Sequence, residues 1–155
     1  MEITITKARR SDLPALLALQ KLCFQSEAEL VGNFNIPPLT QTLAGITDDY
    51  NAGIILAAMA GGQMIGSVRA RMTEDTLYIG RLCVHPAHRR QGLGARLLFA
   101  IEEYCPAERC QLFTSAKSKA NLALYTKAGY KATRTETALH GAPMVFLEKN
   151  NTPEK

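Results

Sequence analysis

The sequence has no long apolar run. None of its stretches approaches the ~18 consecutive apolar residues that a membrane-spanning helix requires. The opening residues, MEITITKARR, also lack the apolar centre of a secretory signal peptide. We therefore expect a cytoplasmic protein without a membrane partner. At 155 residues, with 46% hydrophobic and 21% charged residues, the chain is predicted to form one domain with a substantial core.

The four cysteines lack the spacing of metal ligands. The sequence contains no Cys-x-x-Cys pair, and no matching pair of histidines accompanies Cys23, Cys83, Cys105 and Cys110. We therefore predict no zinc site and no other metal site. Since a secretory signal is also missing, a disulfide framework has little support, and the cysteines are interpreted as reduced structural thiols.

The basic residues do not form a stripe along one helix. The net charge of +4 and the isoelectric point near 9.0 fit a protein that binds an anionic ligand. The lysines and arginines, however, are scattered over short clusters such as KARR, HRR and KSK. Nucleic acid is therefore not an expected partner.

Hydrophobic residues recur at strand spacing in some segments and at helical spacing in others. Alternating Ile3 and Ile5 predict a first strand, and Ser11 is predicted to cap the helix that follows it. The pair Gly61 and Gly62 predicts a hairpin between two strands. Four later strands are predicted in TLYIGRLCV, RCQLFTSA, YKATRTETA and APMVFLEK.

Two later helices are predicted in the second half of the chain. One runs from about Gly92 to Tyr104, and the other covers KANLALYTKA, which Ser118 can cap and Gly129 can end. The element order predicts an α/β (α+β) domain over residues 1–149. The polar residues 150–155 are predicted to be a disordered tail.

The turn before the first of these helices is rich in glycine and arginine. A helix N-terminus exposes unpaired N–H groups and carries about half a positive charge, so it can bind phosphate oxygens. Gly92 and Gly94 remove side chains that would block that approach, and Arg89 and Arg90 add charge. The turn is therefore predicted to bind a phosphorylated cofactor. The alternative is a solvated basic loop in which the glycines only make the turn.

Two common nucleotide motifs do not fit this turn. A P-loop needs lysine and then serine or threonine after its last glycine, whereas Ala95 and Arg96 stand there. A dinucleotide fingerprint needs a third small residue where Leu97 stands, and an acidic residue after the next strand, which is missing. Both nucleotide interpretations are therefore disfavoured.

Two segments resemble the GNAT superfamily of acetyl-CoA-dependent N-acetyltransferases. RRQGLGA, preceded by the strand LYIGRLCVHP, is similar to the family's signature of Gln or Arg, two residues, Gly, any residue, then Gly or Ala. SKANLALYTKAGYK resembles a later family motif in which a helix ends in Leu-Tyr, a lysine, and Gly with an aromatic. The resemblance implies a mostly antiparallel sheet with helices on both faces and a splayed pair of strands.

The resemblance also implies a cofactor and its ligands. Acetyl-CoA would be the co-substrate, its pyrophosphate held at the turn and its pantetheine arm paired with the preceding strand. The turn residues so implied are Arg89, Arg90, Gln91, Gly92, Leu93, Gly94 and Ala95. The strand residues are Leu82, Cys83 and Val84, and the amide of Leu82 or Cys83 would polarise the thioester carbonyl.

Tyr125 is the predicted general acid. On a helix Asn121 and Tyr125 share one face, since they are four residues apart. A phenol can protonate the thiolate that leaves during acetyl transfer, and the resemblance gives Tyr125 that role. In many family members an asparagine stands where this chain has Ser118, which leaves Asn121 as the predicted cofactor contact. The alternative is a tyrosine that only packs the helix.

The base and the acceptor stay open. An amine must lose a proton before it attacks, and Glu27, Glu29, Glu74, Asp75 and Tyr78 are candidate groups near the predicted site. The expected acceptor is a primary amine on a small molecule or a peptide. The alternatives are a CoA-binding module without catalysis, and a nucleotide-dependent enzyme or basic nucleic-acid binder. The family tendency also allows a homodimer.

Overall fold

Seven strands form one sheet in the computed structural model, which describes residues 2–151. The strands are β1 (Ile3–Lys7), β2 (Ile54–Ala60), β3 (Gln63–Thr73), β4 (Thr76–Val84), β5 (Arg109–Ser115), β6 (Lys131–Thr137) and β7 (Pro143–Asn150). Their order in the sheet is β1-β2-β3-β4-β5-β7-β6. Neighbouring strands are antiparallel except β4 and β5, which are parallel. The predicted mixed, mostly antiparallel fold is confirmed.

The helices lie between β1 and β2 and on both sides of β5. They are α1 (Leu13–Cys23), α2 (Gln25–Val31), α3 (Pro37–Thr40), α4 (Leu43–Ala52), α5 (Leu93–Tyr104) and α6 (Lys119–Lys127). Among the described residues, no helix has the length and apolar composition of a membrane span. The predicted hairpin at Gly61 and Gly62 is present, and both glycines have positive φ angles, 56° and 80°.

The start of α1 differs from the prediction. Ser11 lies inside a 3₁₀ turn over Arg10–Asp12, and Asp12 instead occupies the N-cap position. The Arg9 amide donates to Asp12 Oδ2 at 2.8 Å, which closes this extra turn before the helix begins. The capping signal was therefore one residue away from the residue predicted.

Apolar residues cover both faces of the sheet. On one face α5 contributes Leu93, Leu97, Leu98 and Ile101, which pack against β3 and β4. On the other face α1 and α4 bury Leu13, Leu16 and Ile46 against β2. Burying one such side chain contributes about 1.5–3 kcal/mol. The two layers hold the centre of the sheet, and therefore β4, in a fixed position.

β4 separates from β5 after a short paired stretch. The two strands pair only at Thr76 with Arg109, Leu77 with Cys110, and Tyr78 with Gln111. On its other side β4 contains a β-bulge, since Gly80 pairs with Arg69 and Cys83 pairs with Ser67. Two residues, Arg81 and Leu82, therefore face one residue of β3.

The bulge has a left-handed residue at its centre. Arg81 has a φ angle of 52°, a conformation that non-glycine residues rarely adopt. A bulge bends its strand and increases the local twist. The second half of β4 therefore leaves β5, and a gap opens between the two strands. This is the splayed pair that the resemblance implied.

The last strand extends slightly beyond the predicted domain boundary. β7 continues through Asn150, and the Asn151 amide donates to the carbonyl oxygen of Glu108 at 2.8 Å. The predicted tail began at residue 150, so two of its residues belong to the fold. The rest of that tail, residues 152–155, lies outside the described residues.

We expect Gly53→Ala to destabilise the fold. A Cβ at Gly53, between α4 and β2, would overlap the backbone carbonyl oxygen of Ala70 in β3, which cannot move without breaking the sheet. Overpacking of this kind typically costs about 1–3 kcal/mol. Gly80→Ala is the matched control, because a Cβ there would meet nothing within 4 Å. Urea unfolding of both variants measures the difference, and equal stabilities would contradict the steric argument.

Candidate active site

Unpaired backbone amides face outward at the N-terminus of α5. The first backbone bond of this helix runs from the Arg96 amide to the carbonyl oxygen of Gly92 at 3.1 Å. The amides of residues 91–95 donate to no acceptor within residues 2–151. Arg90 and Gly92 have φ angles of 63° and 79°, and such left-handed residues gather successive N–H groups into an anion-binding hollow. This turn can therefore hold phosphate oxygens.

The two glycines of the turn have different surroundings. A Cβ at Gly92 would meet no atom within 4 Å, so the space above this residue is open, as predicted. A Cβ at Gly94 would lie 3.3 Å from Leu124 Cδ2, so Gly94 faces α6. A side chain at position 94 would therefore point toward α6, so the prediction that Gly94 clears space for phosphate is wrong. The missing side chain there lets α5 and α6 approach each other.

The two arginines of the turn also differ. The Arg89 guanidinium donates to the carbonyl oxygens of Cys23 at 2.8 Å and Val84 at 3.2 Å, and to Ser26 Oγ at 3.3 Å. It therefore ties the end of β4 to α1 and α2. Arg90 makes no such contact among the described residues and is exposed. The assignment of both residues to phosphate stays a prediction, and this geometry leaves Arg90 as the free cation.

Backbone amides of β4 face the gap at alternate residues. The His85 amide donates to the carbonyl oxygen of Ile65 at 2.8 Å, toward β3. Hydrogen-bonding direction alternates along an antiparallel strand, so the Cys83 amide also points toward β3. The amides of Leu82 and Val84 then point into the gap. Of the two amides predicted to polarise a carbonyl, this geometry favours that of Leu82.

A cavity of about 710 Å³ opens beside the gap. Leu82, Asn121 and Tyr125 all line it, so the structure brings these three predicted site residues together. The turn residues 89–95 do not line the cavity. Its apolar walls come from α2, α3, β5 and the loop between β6 and β7, and they include Phe24, Ile36, Pro38, Phe113 and Leu139. The cavity is large enough for a small organic molecule.

Tyr125 is buried at the cavity wall. Burial, and then the nearby Glu27 carboxylate, raise the pKa of its phenol well above the usual value. Its hydroxyl makes no hydrogen bond to any residue from 2 to 151, so its proton can be donated to a bound molecule. One turn earlier on α6, Asn121 Nδ2 donates to Thr114 Oγ1 at 3.1 Å, which links this helix to β5.

Glu27 lies at the same end of the cavity. It is half-buried on α2, and burial raises the pKa of its carboxyl, while the backbone amide of Ser115 partly opposes that shift. A carboxylate with a raised pKa is a better proton acceptor than an exposed one. Glu29, the neighbouring candidate, is exposed and does not line the cavity. Of these two candidate bases, between which the sequence did not decide, only Glu27 therefore lines the cavity.

Cys83 is not placed to react with a bound acyl group. Its thiol is buried against Cys23 of α1, and the contact with Cys23 together with burial raises the pKa of Cys83 well above the usual value. A thiol held in its neutral form is a poor nucleophile. This supports the interpretation of Cys83 as a structural residue whose backbone borders the gap.

A buried arginine network on the cavity wall was missed by the sequence analysis. Arg69 of β3 donates to Asp49 Oδ2 at 2.5 Å, to Gln41 Oε1 at 3.3 Å and to Gln20 Oε1. Burial lowers the pKa of Arg69, and Asp49 opposes that change. The network joins α1, α4 and the segment between α3 and α4 to β3. Its sequence signal is weak, because Arg69 is one of two arginines in β3 and the sequence alone does not name its partners.

Comparison with known proteins gives a family match and close structural similarity. The profile of the Acetyltransferase (GNAT) family matches residues 13–130. The chain is 30% identical over 127 residues to the UPF0157 protein YqkA of Bacillus subtilis. The aligned segment covers 81% of this chain but only 36% of that protein. The chain thus spans about a third of the length of this relative.

Two solved structures share the whole fold. The ribosomal-protein-S18-alanine N-acetyltransferase of Escherichia coli has a TM-score of 0.81 at 16% identity, covering 99% of this chain and 97% of the other. The PaiA N-acetyltransferase of Thermoplasma acidophilum, in complex with coenzyme A, has a TM-score of 0.79 at 18% identity, covering 97% and 99%. At these identities the similarity establishes the fold.

Proposed function

Because the chain belongs to the acetyltransferase (GNAT) family, we propose that it transfers an acetyl group from acetyl-CoA to a primary amine. The observation that carries this proposal is the gap between β4 and β5. On its β4 side, Leu82 lines the cavity together with Tyr125 and Glu27, and the end of β4 runs into the turn before α5. This arrangement supports a role for both groups in proton transfer at the thioester end of the cofactor.

The cofactor is proposed to follow the gap. The amides of residues 91–95 and the Arg90 side chain hold the pyrophosphate. The pantetheine arm pairs with the backbone groups of Leu82 and with the Val84 amide, like an added strand. The Leu82 amide donates to the thioester carbonyl oxygen and stabilises the negative charge that develops there.

The chemical step is a direct attack. The amine nitrogen forms a bond to the thioester carbonyl carbon, and the bond from that carbon to sulfur breaks. Glu27 accepts the proton that the amine loses, directly or through one water, and Tyr125 gives its proton to the departing sulfur. The products are an N-acetyl amide and free CoA. No covalent intermediate with Cys83 is required.

A catalytically silent CoA-binding module is the alternative function. Such a module would need the amide turn and the gap, but it would not need a half-buried carboxylate beside a buried phenol in the same cavity. Addition of an amine panel to the protein and acetyl-CoA, with detection of released CoA thiol, separates the two. Amine-dependent thiol release is expected, and binding without release would favour the module.

We expect CoA affinity to depend on the open turn. Gly92→Asn tolerates the left-handed backbone but fills the space above it, so the rise in melting temperature caused by CoA should disappear. Arg90→Asn removes one charge-assisted contact, which should weaken binding by roughly 1.5–3 kcal/mol and reduce its salt dependence. Thermal shift and titration calorimetry at two salt concentrations measure both effects.

Arg96→Ala is the control for that experiment. Arg96 stands on the same helix end, but its guanidinium donates to the carbonyl oxygen of Ile3 at 3.4 Å. Its removal lowers the net charge equally without removing a turn contact. If Arg90→Asn and Arg96→Ala bind CoA equally well, Arg90 lies outside the cofactor site.

A further inference from the structure

Of two arginines on the cavity wall near Asp49, only Arg69 is paired with this carboxylate. Asp49 Oδ2 accepts from Arg69 Nη1 at 2.5 Å and from Gln41 Nε2 at 2.8 Å. Gln20 accepts a further bond from Arg69, so that guanidinium is well satisfied. Arg81, on the bulge of β4, makes neither a hydrogen bond nor an ion pair with any residue from 2 to 151. Arg81 therefore brings a partly buried positive charge, without a partner in the described part of the chain, to the cavity wall.

The position of Arg81 makes this lack of a partner costly. It is partly buried, and burial, followed by repulsion from Arg69, lowers the pKa of its guanidinium to about 10, while Asp49 opposes the shift. A partly buried charge without a partner destabilises the protein unless an anion compensates it. A ligand that brings a negative charge to this wall would supply the compensation.

The backbone fixes Arg81 beside the proposed reaction site. Its left-handed conformation belongs to the bulge that opens the gap, and the next residue is Leu82, whose amide faces that gap. The charge on this wall is therefore positioned by the same feature of β4 that positions the cofactor. Glu27, the proposed base, lines the same cavity and supplies a negative charge there.

We propose that the acceptor amine also carries a carboxylate, which Arg81 binds as a bidentate ion pair while the amine faces Glu27. This inference rests on the proposed acetyl transfer. The unpaired guanidinium of Arg81 balances one negative charge, and its planar fork matches the geometry of a carboxylate. The apolar walls, with Phe24, Phe113 and Leu139, fit an apolar side chain on the same molecule. Amino acids with an apolar side chain have these properties.

The same charges disfavour other classes of amine. A polyamine or an aminoglycoside would place additional cations near Arg69 and Arg81, where like charges repel. The remaining carboxylate of the cavity, Glu136, is paired with Arg134 at 3.1 Å. It therefore offers a second cation little compensation.

Steady-state kinetics with matched acceptors tests the inference. Apolar amino acids are compared with their neutral amides and with diamines, using acetyl-CoA and detection of CoA thiol. The wild type should show kcat/KM about 10- to 100-fold higher for the amino acid than for its amide, the size expected for one charge-assisted contact. Diamines should be poorer acceptors than the amides.

Substitutions of Arg81 test its role directly. Arg81→Met should reduce the ratio of kcat/KM for the amino acid to kcat/KM for its amide to about one. Arg81→Lys keeps the charge without the planar fork, so it should retain part of this preference. Arg71→Met is the control, since Arg71 also lines the cavity but is exposed. Stabilisation of each variant by acetyl-CoA shows that the fold and the cofactor site are intact.

Each result has a distinct meaning. If amides are acetylated as fast as amino acids by the wild type, or if Arg81→Met and Arg81→Lys both keep the full preference, the inference about the carboxylate is overturned and acetyl transfer stands. If no amine of any class is acetylated, the proposed function itself fails. Loss of the preference in Arg81→Met but not in Arg71→Met supports the inference.

Discussion

The Tyr125→Phe variant is expected to lose about 10²- to 10⁴-fold of the rate of acetyl transfer while binding acetyl-CoA as tightly as the wild type. Phenylalanine keeps the ring that packs near Tyr130, at a centroid distance of 6.1 Å in the wild type, so the helix should stay in place. Only the proton for the departing thiolate is removed. Single-turnover kinetics measure the chemical step, and calorimetry measures the affinity.

The pH dependence sharpens this prediction. An acid must be protonated to act, so the rate falls when pH rises through its pKa. Because burial and Glu27 raise the pKa of Tyr125 above its usual value of about 10, no decline due to this residue is expected below that pH. The assignment fails if Tyr125→Phe keeps the full rate when chemistry limits turnover.

Glu27→Gln is expected to slow transfer by about 10²- to 10⁴-fold, the usual contribution of a general base. The carboxylate is active only when ionised, so the wild-type rate should fall as pH decreases through the pKa of Glu27. Burial raises that pKa, which places the decline above the usual range for glutamate, about 4.3. The glutamine variant should lose this acidic limb, and a pH profile of kcat/KM measures it.

The stability of the Glu27 variant separates catalysis from folding. A carboxyl with a raised native pKa prefers its protonated form in the folded protein, so its ionisation at neutral pH opposes folding. Glu27→Gln should therefore be at least as stable as the wild type at pH 7. Glu29→Gln, on the same helix but outside the cavity, should keep full activity. Equal rates for the two variants would remove Glu27 from the mechanism.

Local patterns predicted most of the elements correctly. The segment TLYIGRLCV is β4, and the predicted helix from about Gly92 to Tyr104 is α5 with Gly92 as its N-cap. Gly129 follows α6 with a φ angle of 100°, as a glycine at a helix end should. Alternation, glycine turns and helix ends act over a few residues, so a single sequence contains them.

The features that the sequence did not reveal depend on distant partners. The local sequence predicts Arg89 as a phosphate ligand. It does not predict that the Arg89 guanidinium donates to the carbonyl oxygen of Cys23, 66 residues earlier. The bulge at Arg81 exists only because β3 pairs with β4 in a shifted register. Glu27 of α2 and Tyr125 of α6 line the same cavity although they are far apart in the sequence. No periodicity within one segment encodes such contacts.

The most direct test of acetyl transfer is mass spectrometry of the acceptor after reaction with acetyl-CoA. The proposed function predicts that an amine, and most readily one with a carboxylate, gains one acetyl group for each CoA thiol released, and that Tyr125→Phe and Glu27→Gln form much less product at equal cofactor occupancy. Tight binding of acetyl-CoA with no acetylated amine, or as much product from both variants as from the wild type, would contradict it.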